Sequence, residues 1–324
     1  METLNTHDSE SHPMIICCGE ALIDMLPDPA AAGRTLYEAH CGGAVFNTAL
    51  ALGRLGTPAA LVSGVSEDGF GRMLTAQLKA SGVDTTLLVH SARPTTLAMV
   101  HLKDGNATYV FYDEGSAGRM VQIRDLPSLP DTAQACFFGG ISLCMAPVAD
   151  ALVAYARRSA NSRTIMVEPN IRPGFADDET AYHARVNALL DVADLVKVSD
   201  DDLEWIYPDM TDTERREALL DHGIAVAFVT RGSDGAEAWL ADGTTLTVPA
   251  PQTDVVDTIG AGDTFNAGIL AHLTACGQVA KAQARHLDHD TLRDAMTLAV
   301  HAATVTVSRA GADSPTRAEL PIVT

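Results

Sequence analysis

The sequence predicts an α/β protein built on a mostly parallel central sheet with helices on both faces. Three observations lead there. Short apolar runs that read as buried strands alternate with longer runs of helical period from residue 14 onward. One pair of β-rich runs, 95–102 and 107–112, flanks Asp104-Gly105 and breaks that alternation as a hairpin would. Composition does not shift along the 324 residues in a way that marks a second full domain.

The elements follow in order. Residues 1–13 are polar and acidic (Glu2, Asp8, Glu10) and read as a disordered tail. No basic segment precedes an apolar stretch, so no signal peptide is expected. Met14-Ile15-Ile16-Cys17-Cys18-Gly19 is a buried strand ending in Gly, and Asp24 lies just past its C-terminal end, where open α/β sheets place ligands. Residues 33–40 alternate weakly and, with the 95–112 hairpin, would form a small cover over the main sheet. Cys41-Gly42-Gly43 leads into a helix carrying Ala44, Val45, Ala49, Leu50, Leu52 and Leu55. Asn47, one turn inside, reaches either solvent or a pocket. A strand at 59–63 and a helix at 69–80 precede the hairpin.

After Pro127 and Pro130 the alternation resumes with a strand at 135–138, a helix at 147–159 and a strand at 164–167. Pro169 and Pro173 bar a helix across Glu168-Pro169-Asn170-Ile171-Arg172-Pro173, which leaves Asn170 and Arg172 in a loop at a strand's end. The Arg fork suits a phosphate or sugar oxygen, and suits a solvated surface equally. Helices at 181–190, 201–207 and 213–222 alternate with strands at 195–198 and 225–230. Arg231-Gly232-Ser233-Asp234-Gly235 turns the chain into strands at 236–240 and 244–248. Asp200-Asp201-Asp202 reads as a solvated helix start or as an acidic partner for hydrated Mg²⁺.

The most informative stretch is Asp257-Thr258-Ile259-Gly260-Ala261-Gly262-Asp263-Thr264-Phe265-Asn266-Ala267-Gly268. It opens the first of two final helices, 262–276 and 290–308. Backbone N–H groups at a helix start lack intrahelical partners, and glycines let an anion approach them. Asp263 is then a cap or a base beside an anion site.

Other chemistries are excluded. The lysines are Lys79, Lys103, Lys197 and Lys281, and none follows a glycine, so there is no P-loop. Phe265 occupies the sixth position of what would be a dinucleotide fingerprint starting at Gly260. No G-x-S-x-G elbow and no zinc spacing occur. His286, Asp288, His289 and Asp290 read as a surface cluster. A net charge of −20 opposes nucleic-acid and anionic-membrane binding, and no apolar run approaches ~18 residues. The six cysteines (Cys17, Cys18, Cys41, Cys136, Cys144, Cys276) form no C-x-x-C pair and fit buried thiols of a reducing cytosol, so a cytoplasmic protein is expected. Phosphoryl transfer remains: N–H groups hold developing charge, and Asp263, ionised at neutral pH with an unperturbed pKa near ~3.9, accepts a hydroxyl proton.

Asp257–Gly268 resembles the C-terminal signature of the ribokinase-like (PfkB) carbohydrate kinases. Gly42-Gly43-Ala44-Val45-Phe46-Asn47-Thr48-Ala49 with Leu52-Gly53-Arg54-Leu55-Gly56 resembles the N-terminal one. Cys18–Asp24, Arg93-Pro94-Thr95-Thr96, Phe111-Tyr112-Asp113-Glu114, Glu168–Arg172 and Val196-Lys197-Val198-Ser199 are most similar to bacterial fructokinases. The resemblance implies a three-layer α/β/α fold over 14–324, with a β lid from about 33–40 and 95–112. It implies transfer from Mg²⁺–ATP to D-fructose, giving fructose 6-phosphate. Alternatives on the same fold are 2-keto-3-deoxygluconate, tagatose, ribose or a nucleoside as substrate, or a non-catalytic sugar-binding regulator.

Residue by residue, the resemblance makes Asp263 the base and Gly260, Ala261 and Gly262 the anion hole. Arg172 lies on the phosphate path. Asp24, Gly42, Gly43, Asn47 and Asn170 contact sugar, with Tyr109 and Phe111 closing from the lid. Lys197, Ser199, Thr230, Gly232, Ser233, Gly235 and Asn266 flank ATP. Asp202 would meet Mg²⁺ through water, although the family's Asn-x-x-Glu is Ser199 and Asp202 here. Some members bind K⁺ near the positions of Asp257, Ile259, Arg309 and Gly311; the spacing after Gly311 departs from theirs. Relatives often form homodimers by pairing lid strands.

Overall fold

Strand β1 (Met14–Cys18) is apolar throughout because it runs through the middle of the molecule, with Ile15 to Cys18 fully buried. In the computed structural model, which describes residues 13–27, 36–103, 106–176 and 178–322, it is followed by β2 (Leu22–Pro27), β3 (Tyr37–Gly42) and α1 (Ala44–Arg54). Next come β4 (Ala59–Val62), β5 (Gly64–Ser66), α2 (Gly69–Ala80), β6 (Val89–Ser91), β7 (Leu97–Lys103) and β8 (Asn106–Tyr112). The middle of the chain forms β9 (Ala133–Gly139), α3 (Val148–Ser159), β10 (Thr164–Glu168), α4 (Glu179–Leu190) and β11 (Leu195–Ser199). The rest comprises α5 (Asp200–Ile206), α6 (Asp212–Leu220), β12 (Val226–Thr230), β13 (Ala236–Leu240), β14 (Thr245–Val248), α7 (Ala261–Ala275), α8 (Lys281–Ala284) and α9 (His289–Val307). The expected tail, the first part of the expected 33–40 cover and the Asp104-Gly105 turn fall on residues 1–12, 28–35 and 104–105, outside the described residues.

Eight strands form the main sheet in the order β14-β13-β12-β11-β10-β9-β1-β4. From β12 to β4 all neighbours are parallel, while β13 and β14 add an antiparallel edge. Alternate residues of one strand serve opposite cores. Ile15, Cys17, Phe137, Met166 and Phe228 pack with residues of α1, α7 and α9. Ile16, Cys18, Phe138 and Val167 pack with residues of α3, α4 and α5 on the other face. The result is the three-layer α/β/α arrangement.

A second sheet has the order β3-β2-β7-β8, with β2 antiparallel to β3 and parallel to β7. Asp24, expected just past the C-terminal end of β1, lies within β2, opposite His40 and Ala98. Leu22–Pro27 was not expected as a strand; only Gly19, Glu20 and Ala21 separate it from β1. The β7–β8 hairpin is anchored at its base by Asp68. That residue caps α2 through Gly71 N (2.8 Å) and also accepts from Thr95 N (2.9 Å) and Thr95 Oγ1 (2.7 Å). β5 and β6 pair separately as a short parallel ladder.

Candidate active site

Helix α7 starts abruptly because Gly260 takes a left-handed turn (φ 79°) that a side chain would resist. A Cβ there would also lie 2.6 Å from Ala312 Cβ. Helix geometry gives the N–H groups of Ala261, Gly262 and Asp263 no carbonyl within the helix. That of Ala261 donates to Thr258 O at 3.4 Å. The positive end of the helix dipole thus opens beside Asp263.

Asp263 is 8% exposed, and its Oδ2 accepts from Asn47 Nδ2 at 2.9 Å. Thr48 Oγ1 donates to the Asp263 carbonyl at 3.3 Å, so the starts of α1 and α7 are tied together. The expectation of an ordinary, freely ionised carboxylate is corrected. Burial, and then the like charge of Glu168, hold Asp263 well above the usual carboxylate range; Glu20 adds to this, while the Asn47 hydrogen bond and Lys197 oppose it.

Two carboxylates that the residue patterns did not single out organise this region. Glu20 Oε1 accepts from Ala44 N (2.9 Å), and Oε2 accepts from Ser142 Oγ (2.9 Å) and Ser142 N (3.2 Å). It therefore satisfies an orphan donor of α1 from a distant part of the chain. Glu168, at the end of β10, takes Lys197 Nζ on Oε1 at 2.5 Å and Asn266 Nδ2 on Oε2 at 2.6 Å. The only sequence signal for either was its place in a family-like motif.

Several expected roles change. Asn266, expected beside ATP, is 0% exposed and bonded to Glu168. Lys197, also expected beside ATP, is 5% exposed and held in the same network, beneath the α7 start. Ser199 caps α5 and donates to Asp202 Oδ2 at 2.8 Å. Asp202, expected to meet Mg²⁺, is 3% exposed; Oδ2 also accepts Ser199 N (2.9 Å), and Oδ1 accepts Ile171 N (2.7 Å). The carboxylate thus caps α5 and holds the Asn170–Arg172 loop, which takes up acceptor positions that a metal-bound water would use. Among the described residues, no three His, Cys, Asp or Glu side chains gather as metal ligands.

In that loop Asn170 adopts φ 45°, a left-handed conformation that Asn tolerates better than most residues. Arg172 is exposed, with Nη1 donating to Ile171 O at 2.8 Å. Phe175, two residues past Pro173, meets Phe111 of β8 edge-on with ring centroids 4.6 Å apart. Tyr109 stands beside Phe111, and its phenol is raised chiefly by burial, with Asp24 and Asp257 adding to this and Arg172 opposing it. The β7–β8 hairpin therefore faces residues from β2, the 169–175 loop and the approach to α7. Asp24 is raised to about 6, mainly by burial, with His40 opposing and Glu20 adding. Gly42 pairs with Leu22 beside Asp24, and Gly43 immediately precedes α1.

Thr230 ends β12, and Gly232, Ser233 and Gly235 form the following turn, closed by Arg231 N to Gly235 O at 2.8 Å. The Arg231 side chain pairs with Asp200, Asp212 and Glu237 and fixes this turn against α5 and α6. Of the expected K⁺ positions, Asp257 joins two: Oδ1 accepts Ile259 N (3.0 Å) and Oδ2 accepts Gly311 N (2.9 Å). The Arg309 side chain instead pairs with Glu319 and Asp313. Asp288 caps α9 through Thr291 N, as its surface reading required.

The model of the family described as "pfkB family carbohydrate kinase" matches residues 13–319. A fructokinase of Rhizobium leguminosarum bv. trifolii is 45% identical over 281 residues, 87% of this chain and 86% of that protein. The crystal structure of a Xylella fastidiosa fructokinase with bound ATP superposes with a TM-score of 0.84 at 26% identity, covering 92% of this chain and 93% of that one. A Vibrio cholerae fructokinase solved with fructose, ADP and calcium gives 0.80 at 25% identity, covering 94% and 95%. A double mutant of it was solved with fructose, ADP and potassium.

Proposed function

The chain belongs to the pfkB family of carbohydrate kinases, and from that premise we propose that it is an ATP-dependent fructokinase making fructose 6-phosphate. The observation that carries the reading is the Asp263 carboxylate, buried at the start of α7 and aimed by Asn47. A sugar hydroxyl placed against it loses its proton to the carboxylate as the oxygen attacks the γ-phosphorus, and the bond from that phosphorus to the bridging oxygen of ADP breaks. The N–H groups of residues 260–262 and the α7 dipole take up the charge on the transferring phosphoryl group. Arg172, with its exposed guanidinium, approaches the same group. Asp24, Gly43, Asn47 and Asn170 select the sugar's hydroxyls.

The nucleotide lies along Thr230, Gly232, Ser233 and Gly235. Mg²⁺ enters with ATP as the metal–nucleotide substrate, consistent with its preference for phosphates over all-protein cages. A monovalent cation would be held at the loops that Asp257 joins, around Ile259 and Gly311. The second sheet acts as the lid. Its β8 edge exposes Tyr109, Val110 and Tyr112, apolar surface suited to pairing with a second copy. No helix among the described residues is long and apolar enough to cross a membrane.

The test is a kinase assay with Mg²⁺–ATP against fructose, ribose, tagatose, 2-keto-3-deoxygluconate and adenosine. Fructose should give the highest kcat/KM. A clear preference for another acceptor overturns the substrate, and sugar binding without ATP turnover overturns the enzyme.

A further inference from the structure

Beneath the start of α7 lies a buried charge couple that phosphoryl transfer, as described above, leaves unused. Glu168 and Lys197 are 2% and 5% exposed, with Nζ 2.5 Å from Oε1. Asn266 holds the other Glu168 oxygen, and its own buried Oδ1 has no partner among the described residues. Taking two charges out of water is costly, and apolar residues of similar volume often stabilise a core as well or better. The couple's location supplies a reason for it. A Cβ on Gly262 would lie 2.9 Å from Lys197 Nζ and 3.2 Å from Glu168 Oε1, so the turn into α7 rests directly on the pair.

Asp263 is the next residue. Glu168 acts on its carboxyl as a like charge from β10 and Lys197 as an opposite charge from β11. Glu20, after β1, is the other carboxylate facing it, and Asn47 donates to it from α1. We propose that Glu168 and Lys197 are positioning residues for phosphoryl transfer: they seat the 260–262 turn and govern when the Asp263 carboxylate is free to take a proton. The inference rests on Asp263 as the base. It also requires the two halves to act with opposite sign, which a scaffold role alone does not.

The experiment is the pH dependence of kcat/KM, on whichever sugar the wild type phosphorylates, for the wild type, Glu168→Gln and Lys197→Gln. That parameter reports groups of the free enzyme. Glu168→Gln removes the like charge and should move the acid limb down by about one pH unit; Lys197→Gln should move it up by about as much. Limbs that stay put, or move in the same direction, overturn the proposal even if both variants lose activity or melt earlier. Should neither variant fold, Glu168→Asp keeps both charges but draws the carboxylate back from Gly262. It should lower kcat about tenfold or more with KM values within about twofold, because a small misplacement costs turnover; unchanged kcat overturns the proposal. A wild type inactive on every sugar sinks the functional reading and this inference together, whereas shifts of the wrong sign sink the inference alone.

Discussion

An Asp263→Asn substitution separates two effects of burying a carboxylate. The carboxyl is held up to about 8 in the native state, against an ordinary 3.8. The native state therefore binds this proton more tightly than the unfolded chain does. The associated stability is fully present below 3.8 and is lost as pH rises through about 8. Each pH unit in that window removes up to about 1.4 kcal/mol. Relaxation and water penetration around a buried charge reduce this, so a loss of about 2–4 kcal/mol between pH 4 and pH 8 is the expected magnitude. Asn is nearly isosteric, can still accept from Asn47 and has no such cost. The variant should melt about 4–8 °C above the wild type at pH 8 and close to it at pH 4, at roughly 2 °C per kcal/mol. Its kcat should fall by roughly 10²–10⁴ with fructose KM little changed. Wild-type kcat/KM should in turn decline as pH drops below about 8. Differential scanning at both pH values and steady-state kinetics are the assays. A variant no more stable at pH 8 than at pH 4, relative to the wild type, refutes the burial account; kcat within tenfold of the wild type refutes the base.

Two further substitutions test the surroundings. Asp202→Asn replaces an acceptor of three hydrogen bonds, from Ser199 N, Ser199 Oγ and Ile171 N, with an amide that offers donors to donors. A loss of about 2–4 kcal/mol is expected, with the Mg²⁺ concentration for half-maximal rate unchanged. An altered Mg²⁺ requirement at unchanged melting temperature would restore the metal role. Phe175→Ala removes the ring that meets Phe111 at 4.6 Å, a contact worth about 1 kcal/mol beyond its area. Fructose KM should rise by about 3- to 10-fold with little change in melting temperature, and an unaltered KM would show that the lid closes without this contact.

The strand–helix alternation was legible because main-sheet strands are buried on both faces and read as unbroken apolar runs, as in Ile15–Cys18. Helix α2 was legible to the residue, at Gly69–Ala80. The second sheet was harder. In β3 half-buried and exposed residues alternate but none before Gly42 is fully buried, so the pattern is faint, and β2 follows β1 so closely that one strand and a loop read just as well. In the site, the glycines around Asp263 mark it locally. The partners that set its charge do not appear in any local pattern: Glu168 and Lys197 are 29 residues apart and Glu168 and Asn266 are 98 apart. The capping role of Asp202 was not legible, because a capping carboxylate and one facing a metal look alike until the hydrogen bonds they accept are counted.

The hydrogen bond from Asn47 to Asp263 spans 216 residues, and β1 lies between strands reached only much later in the chain and sooner in the chain, β9 and β4. Contacts of such sequence separation form late and slowly, since the loops they close must be ordered first. During synthesis the Asn47 side of the site waits without its catalytic partner until the start of α7 has emerged. Fragments that stop short of α7 cannot be weakly active enzymes; they would expose the apolar face of α1 that α7 covers and become clients of chaperones or proteases. Competence therefore arrives at the end of folding, all at once.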